Sequence, residues 1–221
     1  MRVDLYHIVR HGSEAASRAP LLQVDHLMVG LKIISLWRHK IDLNEIVIDR
    51  PSIHLSVDQN GRSNLAQTPP PAAGGRRTNI LDLAIGHFVV NQGELDYNDR
   101  HIPLDGEVHD LHAQVSFDSA KTEYDGMLGY RDGRVQYGGF NPVQDGMQVR
   151  FGATPSGLTL DSLVLIAGSS TMSVQAHLQD YGNPSVDGSY RADLSTRDLV
   201  KILKVNSIPA GQVNLQGTLY Y

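Results

Sequence analysis

Apolar and polar residues alternate one for one along most of this chain. A period of two is the signature of β-strands with one dry face and one wet face. The alternation is cleanest in Pro51–Asp58, where Ile53, Leu55 and Val57 oppose Ser52, His54, Ser56 and Asp58. Leu111–Asp118 repeats it, with Leu111, Ala113, Val115 and Phe117 against His112, Gln114, Ser116 and Asp118. Thr171–Leu178 does so again, setting Met172, Val174, Ala176 and Leu178 against Thr171, Ser173, Gln175 and His177. Val186–Leu194 follows the same rule, as does Val213–Tyr221, with Val213, Leu215 and Leu219 in its apolar phase. Weaker strands fit Leu21–Ile33, Ile41–Asp49, Leu81–Asn91, Glu94–Asn98, Met127–Arg131, Val135–Gly139, Met147–Phe151 and Leu158–Ile166.

Between these segments lies turn chemistry. Asn60-Gly61, Asp105-Gly106, Asp125-Gly126, Asp132-Gly133 and Asp145-Gly146 offer positive-φ positions for tight hairpins, and Asn91-Gln92-Gly93 and Pro155-Ser156-Gly157 do likewise. The spacing predicts a meander of short antiparallel strands. Two helical pieces interrupt it. Ser195 and Thr196 supply a hydroxyl cap and Asp198 an early acid for a helix near 196–204, and a shorter turn fits Ser35-Leu36-Trp37. Each is an apolar plug for one end of a curved sheet. The run Thr68–Thr78 (TPPPAAGGRRT) reads as a linker. It divides the chain into a β segment over 1–67, the linker over 68–78, and a longer β segment over 79–221. The chain stops inside an apparent strand, so a C-terminal truncation is expected.

Composition narrows the function. Among 221 residues, 41% are hydrophobic and 19% charged, a mix that suits a sheet with many turns and a wet face better than a dense α/β core. A net charge of −5 without a basic stripe argues against nucleic acid as a partner. Cysteine is absent, which excludes disulfides and thiolate metal sites. No apolar run reaches the roughly 18–20 residues of a membrane-spanning helix, and Arg2, Asp4 and His7 are unlike a signal peptide.

Ten histidines invite a catalytic or metal reading, yet only His101, His109 and His112 cluster in sequence. In a strand, residues three apart point to opposite faces, so His109 and His112 share a ligand only if a bulge intervenes. His54, His112 and His177 occupy the polar phase of their strands and read as solvated. Glu94, Asp96 and Asp99 supply carboxylates for hydrolysis, but Glu94 and Asp96 also sit in a polar phase. No GxSxG elbow, P-loop or HExxH motif is present, and Asp125, Asp132 and Asp145 each belong to a Gly turn and not to one calcium loop. An enzyme is not expected, and no cofactor or metal is called for. The apolar phase of the strands remains. It fits the core of a closed sandwich or barrel, and it fits an open apolar trough equally well, because both need one dry face.

A more specific pattern runs through residues 36–65. The segment Lys40–Ile48 leads into Asp49-Arg50-Pro51, followed by Ile53, Leu55, Val57, Asp58 and the turn Asn60-Gly61-Arg62-Ser63-Asn64-Leu65. Pro51 has no N–H to donate and belongs at a strand's first residue or an edge, and Arg50 before it is expected to be extended. This order of strand, RP bend, strand and DGxxN-like turn resembles the AsmA-like superfamily, and within it the TamB family of translocation and assembly module proteins. The lead-in Val29–Leu36, the hairpin-like Ile80–Asp99 around Asn91-Gln92-Gly93-Glu94-Leu95-Asp96-Tyr97, and Ser169–Ile202 are similar to segments of the same family. Motif positions are thus Arg50, Pro51, Asn60, Gly61, Asn64 and Gly93.

The resemblance implies a mostly β fold: an elongated, curved antiparallel sheet forming a U-shaped, taco-like groove, polar outside and apolar inside, with one or two short helices. It implies a periplasmic segment of an envelope-spanning protein anchored in the inner membrane, although this chain carries no anchor, so membrane contact falls to missing parts of the parent chain. Phospholipid acyl chains are the implied partners, carried between inner and outer membranes along Ile53, Leu55, Val57, Leu111, Val115, Phe117, Met172, Val174, Leu178, Val213, Leu215 and Leu219. The alternative is a scaffold for outer-membrane protein assembly and secretion, in which Val213–Tyr221 adds to the sheet of a β-barrel assembly partner.

Overall fold

In the computed structural model, residues 1–13, 18–31, 43–65, 85–205 and 207–221 are described. They build one open eleven-stranded sheet whose spatial order is the order of the sequence. Its first strands are β1 (Arg2–Arg10), β2 (Leu22–Leu31), β3 (Leu43–Val57), β4 (His87–Asp99), β5 (Leu104–Asp118) and β6 (Glu123–Tyr137). β7 (Val143–Thr154), β8 (Gly157–Ala167), β9 (Ser170–Gln179) and β10 (Ser185–Ser195) follow, then helix α1 (Thr196–Leu203) and β11 (Gln212–Tyr220). The alternation therefore means what it predicts: a mostly β, elongated, groove-like sheet with a short helix.

One pairing departs from the expected antiparallel meander. β3 and β4 run parallel, with Ile46 beside Phe88 and Leu55 beside Tyr97. A parallel pair needs a return connection of a dozen residues or more, and the chain between Val57 and His87 provides it. The two β segments on either side of the linker thus share one sheet. The linker itself (68–78), the turn expected at Ser35-Leu36-Trp37 and the stretch 40–42 lie outside the described residues. β1 was not expected from the alternation, and it closes the sheet's first edge against β2.

The strands are longer than the glycines suggest. Asn91-Gln92-Gly93, Asp105-Gly106, Asp125-Gly126, Asp132-Gly133 and Asp145-Gly146 all lie inside strands and not at hairpin tips. Met127–Arg131 and Val135–Gly139 accordingly belong to the single strand β6, apart from its last two residues, and the strands expected either side of Pro51 merge into β3. Gly126 has a packing reason to be there: it pairs with Phe151, and a Cβ at Gly126 would overlap that ring. Only Asn60-Gly61 and Pro155-Ser156 keep their expected turns; Gly61 has φ 77°.

Most of the strands from β1 to β8 are creased near the middle. His7, Arg50, Gln92 and Asp110 adopt positive φ within β1, β3, β4 and β5, at 53°, 47°, 52° and 51°. β6 slips register between Tyr130 and Gly133, and β8 between Leu160 and Leu163. At each crease the order is apolar, polar, polar, apolar: Leu5-Tyr6-His7-Ile8, Ile48-Asp49-Arg50-Pro51, Val108-His109-Asp110-Leu111, Leu160-Asp161-Ser162-Leu163. The extra residue bends the strand and restarts the alternation in the opposite phase, so apolar side chains stay on one face of both halves. Arg50 is therefore left-handed and not extended, and Pro51 stands inside a central strand, where the interrupted ladder makes no use of a proline N–H. Val24, Pro51, Val90 and Gly93 are buried at the crease on the apolar side, while Arg50, Asn91, Gln92, His109 and Asp110 are exposed on the other. The sheet thus folds toward its apolar face.

Helix α1 lies along one rim. Ser195 holds the N-cap position without a capping side-chain bond; the expected hydroxyl cap is replaced by contacts to neighbouring strands. The Asp198 carboxylate accepts from Ser169 N (2.8 Å) and Ser170 Oγ (2.9 Å), tying the helix start to the β8–β9 turn. At the other end Asn141 donates through Nδ2 to Lys201 O (2.6 Å) and through its backbone N to Ile202 O (3.1 Å), so helix C-terminal carbonyls are satisfied by the β6–β7 loop.

Candidate functional site

The cross-strand register aligns apolar residues of successive strands into rows. One row runs Val3, Val29, Ile46, Phe88, Val115, Gly126, Phe151, Leu160, Ala176, Gly188, Leu219, one residue from each strand β1 to β11. A second, parallel to it, runs Leu5, Leu27, Ile48, Val90, Ala113, Leu128, Val149, Leu163, Val174, Tyr190, Gly217. Both cross the whole sheet with no charged member. With strands ~4.8 Å apart, each row is roughly 48 Å long.

The residues singled out from the sequence fall on this face. Val115, Val174 and Leu219 belong to the two rows. Phe117 and Leu178 stand in the flanking row through Tyr124, Ala153 and Leu158. Met172 and Leu215 align through Ala192, and Val213 pairs with Leu194. Beyond the crease, Ile53 neighbours Leu95, Leu55 neighbours Tyr97, and Leu111 faces Gly93. Val57 sits beside Asp99, where the face turns polar.

Nothing among the described residues covers this face. The buried apolar side chains are few (Leu21, Val24, Val90, Tyr124 and Ala192, with Pro51), and no large side chain is fully buried. Met172, Val213, Leu215 and Leu219 are 37–47% exposed. The core of a closed sandwich or barrel, the other arrangement compatible with the alternation, would seal such residues. A depression of about 690 Å³ is lined mainly by polar-face residues such as Ser173, Gln175, Ser189, Arg191 and Gln216, with Val174 and Tyr190 of the second row also contributing. The apolar face is a continuous surface instead of a pocket.

Two carboxylates interrupt it, and each is masked by a phenol. Tyr130 donates to Asp145 Oδ2 at 2.7 Å and Tyr97 to Asp99 Oδ2 at 2.8 Å. Burial, together with the Asp145 bond, pushes the Tyr130 phenol well above its ordinary value. Asp99 is held below the usual carboxylate range, first by the Ile102 N–H, with Tyr97 and His101 N–H adding to the effect.

The opposite face is mainly polar, although Met28, Val47 and Val89 form a short apolar row on it. At the crease it carries a hydrogen-bonded ladder. His26 contacts Asp49 Oδ2 at 2.7 Å and Asp4 Oδ1 at 2.9 Å, Asn91 Nδ2 donates to Asp49 Oδ1 at 2.9 Å, and Arg50 Nε donates to Asp25 Oδ2 at 2.7 Å. Asp49 and then Asp4, by hydrogen bonding to His26, raise its pKa.

The other sequence candidates separate. Glu94 and Asp96 stay on the polar face, near His109 (3.9 Å) and His54 (3.1 Å), whereas Asp99 caps the β4–β5 hairpin from the apolar side. The left-handed Asp110 is the bulge that turns His109 and His112 to the same side, yet among the described residues no three His, Cys, Asp or Glu side chains gather as a metal site. No described helix is long and apolar enough to cross a membrane. The motif asparagine has a clear structural part: buried Asn64 accepts from Ser56 N at 2.9 Å and donates to His54 O at 2.7 Å, stapling the turn after Asn60-Gly61 onto β3.

Fold and face define a class: an open single-sheet β protein with one uncovered apolar side. Comparison with family models, curated proteins and solved structures finds no match for this chain.

Proposed function

We propose that this chain is a segment of a bridge-like protein of the AsmA-like, TamB-type kind, whose apolar trough carries phospholipid acyl chains between the inner and outer membranes. The observation that carries the reading is the pair of unbroken apolar rows, open to solvent and roughly 48 Å long. That length exceeds the ~30 Å hydrocarbon core of a bilayer. Each methylene laid on such a surface contributes up to about 0.8 kcal/mol, so one long chain gains on the order of 10 kcal/mol before ordering costs. A surface without deep pockets spreads that gain evenly and lets the lipid slide. Periplasmic placement and an inner-membrane anchor in the parent protein belong to this proposal.

Mass spectrometry of the protein purified from a Gram-negative host tests it. Phospholipid should co-purify. Val115→Asp or Val174→Asp should remove it, with Leu219→Asp on the exposed last strand as a variant that spares the sheet interior. His112→Asp, on the polar face, should leave the lipid in place. Equal loss from both faces, or no lipid at all, would count against the trough.

A second reading, a scaffold for protein assembly, is favoured by the contrast between the two sheet edges. β1 carries Arg2, Asp4 and Arg10 and is kinked at His7, features that discourage edge pairing. β11 (QVNLQGTLY) has no charge, no proline and an unbroken register with β10. The paired bonds between Val186 and Tyr221 place the N–H groups of Asn214 and Gln216 on the free side. Proline at either position should block strand addition by a β-barrel assembly protein and leave lipid binding intact.

A further inference from the structure

Where β3 and β4 end, a depression of about 480 Å³ is lined by Arg18, Arg62 and Arg100 together. The three come from different parts of the chain: the β1–β2 connection, the turn after β3, and the β4–β5 hairpin. In a chain of net charge −5, such a gathering is unusual. Among the described residues none of the three guanidinium groups forms an ion pair. One carboxylate, Asp58, shares the lining with them, and the Arg62 charge acts on it. Its Oδ1 accepts from Asn60 N at 2.8 Å and Arg62 N at 2.9 Å, and Asp99, next to Arg100, accepts from two hairpin N–H groups and from Tyr97.

The frame around the arginines is fixed. Ser13 N donates to Asn64 O at 2.9 Å, Asn64 N to Ser56 O at 2.8 Å, and Arg100 N to Val57 O at 3.0 Å. Ser13 and Asn98 add further polar groups to the lining. Guanidinium forks match tetrahedral oxyanions bidentately and remain charged at every physiological pH.

We propose that this depression binds a phosphate group, either that of a phospholipid headgroup or that of a soluble phosphate. It lies on the rim where the two faces meet: Ser56 and Asn98 of the polar face line it, and so does Val57 of the apolar face. A headgroup held here would sit on the long rim of the trough, on the side nearer β1. That choice of source rests on the lipid reading above, whereas the phosphate site itself does not.

Calorimetric titration of the full chain with inorganic phosphate tests the site, with an expected Kd on the order of 1 mM. The double variant Arg62→Gln/Arg100→Gln should weaken phosphate binding about tenfold or more, while Arg150→Gln, an exposed arginine on another part of the sheet, should not. No binding by the parent chain, or equal weakening in both variants, overturns the proposal. A short-chain phosphatidylglycerol, kept below its micellar concentration, then identifies the source. Tighter binding than inorganic phosphate, with the excess abolished by Leu55→Asp on the apolar face two residues before Val57, assigns the site to a headgroup. Equal affinity for the two ligands, unaffected by Leu55→Asp, leaves a site for soluble phosphate and removes support for the trough instead.

Discussion

Gln92 holds a left-handed backbone conformation in the middle of β4, at φ 52°. For a side chain with a Cβ this costs about 1–2 kcal/mol, partly offset in any glycine replacement by glycine's greater entropy loss. Gln92→Gly should therefore raise the unfolding free energy by about 0.5–1 kcal/mol, and Gln92→Val should lower it by about 1–2 kcal/mol, both read from urea denaturation. A stable Val variant would show that the crease is dispensable at this position. His26 makes a second residue-scale prediction. Folding favours its protonated form, chiefly through Asp49 and then Asp4, so its contribution is complete below the ordinary value of 6.5 and fades as pH rises through the higher folded value. Asp4 and Asp49 are held below 3.8, so theirs is present above that value and fades as pH falls through the lower folded values. Stability should peak in mildly acidic solution, and His26→Asn should flatten its decline on the alkaline side of the peak. A denaturation midpoint that His26→Asn shifts equally at every pH would refute this.

At the scale of elements, the sequence discloses faces more readily than strand ends or partners. Ile53, Val115 and Val174 declare their side by alternation alone, and the sheet places them as expected. Hairpins are another matter, because Asp132-Gly133 inside β6 has the composition of a tight turn and is distinguished from one only by its strand partners. The crease hides β1 for a related reason. Its alternation restarts after Leu5, so neither half is long enough to register as a strand. The parallel pairing of β3 with β4 leaves no mark on either strand, since a period of two specifies a face and not a neighbour. The helix is legible from its Ser-Thr start and early acid, but its anchoring is not: Asp198 reads as a first-turn acid and acts as a clamp on the β8–β9 turn. Asp198→Ala should cost about 1–2 kcal/mol and speed hydrogen exchange at Ser169 and Ser195, while Asp161→Ala, on an exposed ridge, should do neither. The arginine depression shows the same limit, because residues 18, 62 and 100 meet only through three separate turns.

For the molecule as a whole, each strand packs essentially against the strands next to it in sequence, with α1 resting on β10. That makes the sheet nearly one-dimensional, and its stability approximates a sum of neighbouring interfaces instead of one shared core. Unfolding should then proceed from the edges inward. Native-state hydrogen exchange should find β1 and β11 opening at low free energy and β4 to β7 at the highest, in a graded series. A single opening energy across all strands would mean that a sealed core exists after all. On the lipid reading proposed above, the same geometry links stability to cargo. An acyl chain lying along the Val115 row touches many strands at once and couples interfaces that are otherwise independent. Adding short-chain phospholipid should narrow the spread of opening energies, raising the edge strands most. In the Val115→Asp variant the gradient should stay as steep with lipid as without it, because the row no longer offers a continuous apolar contact.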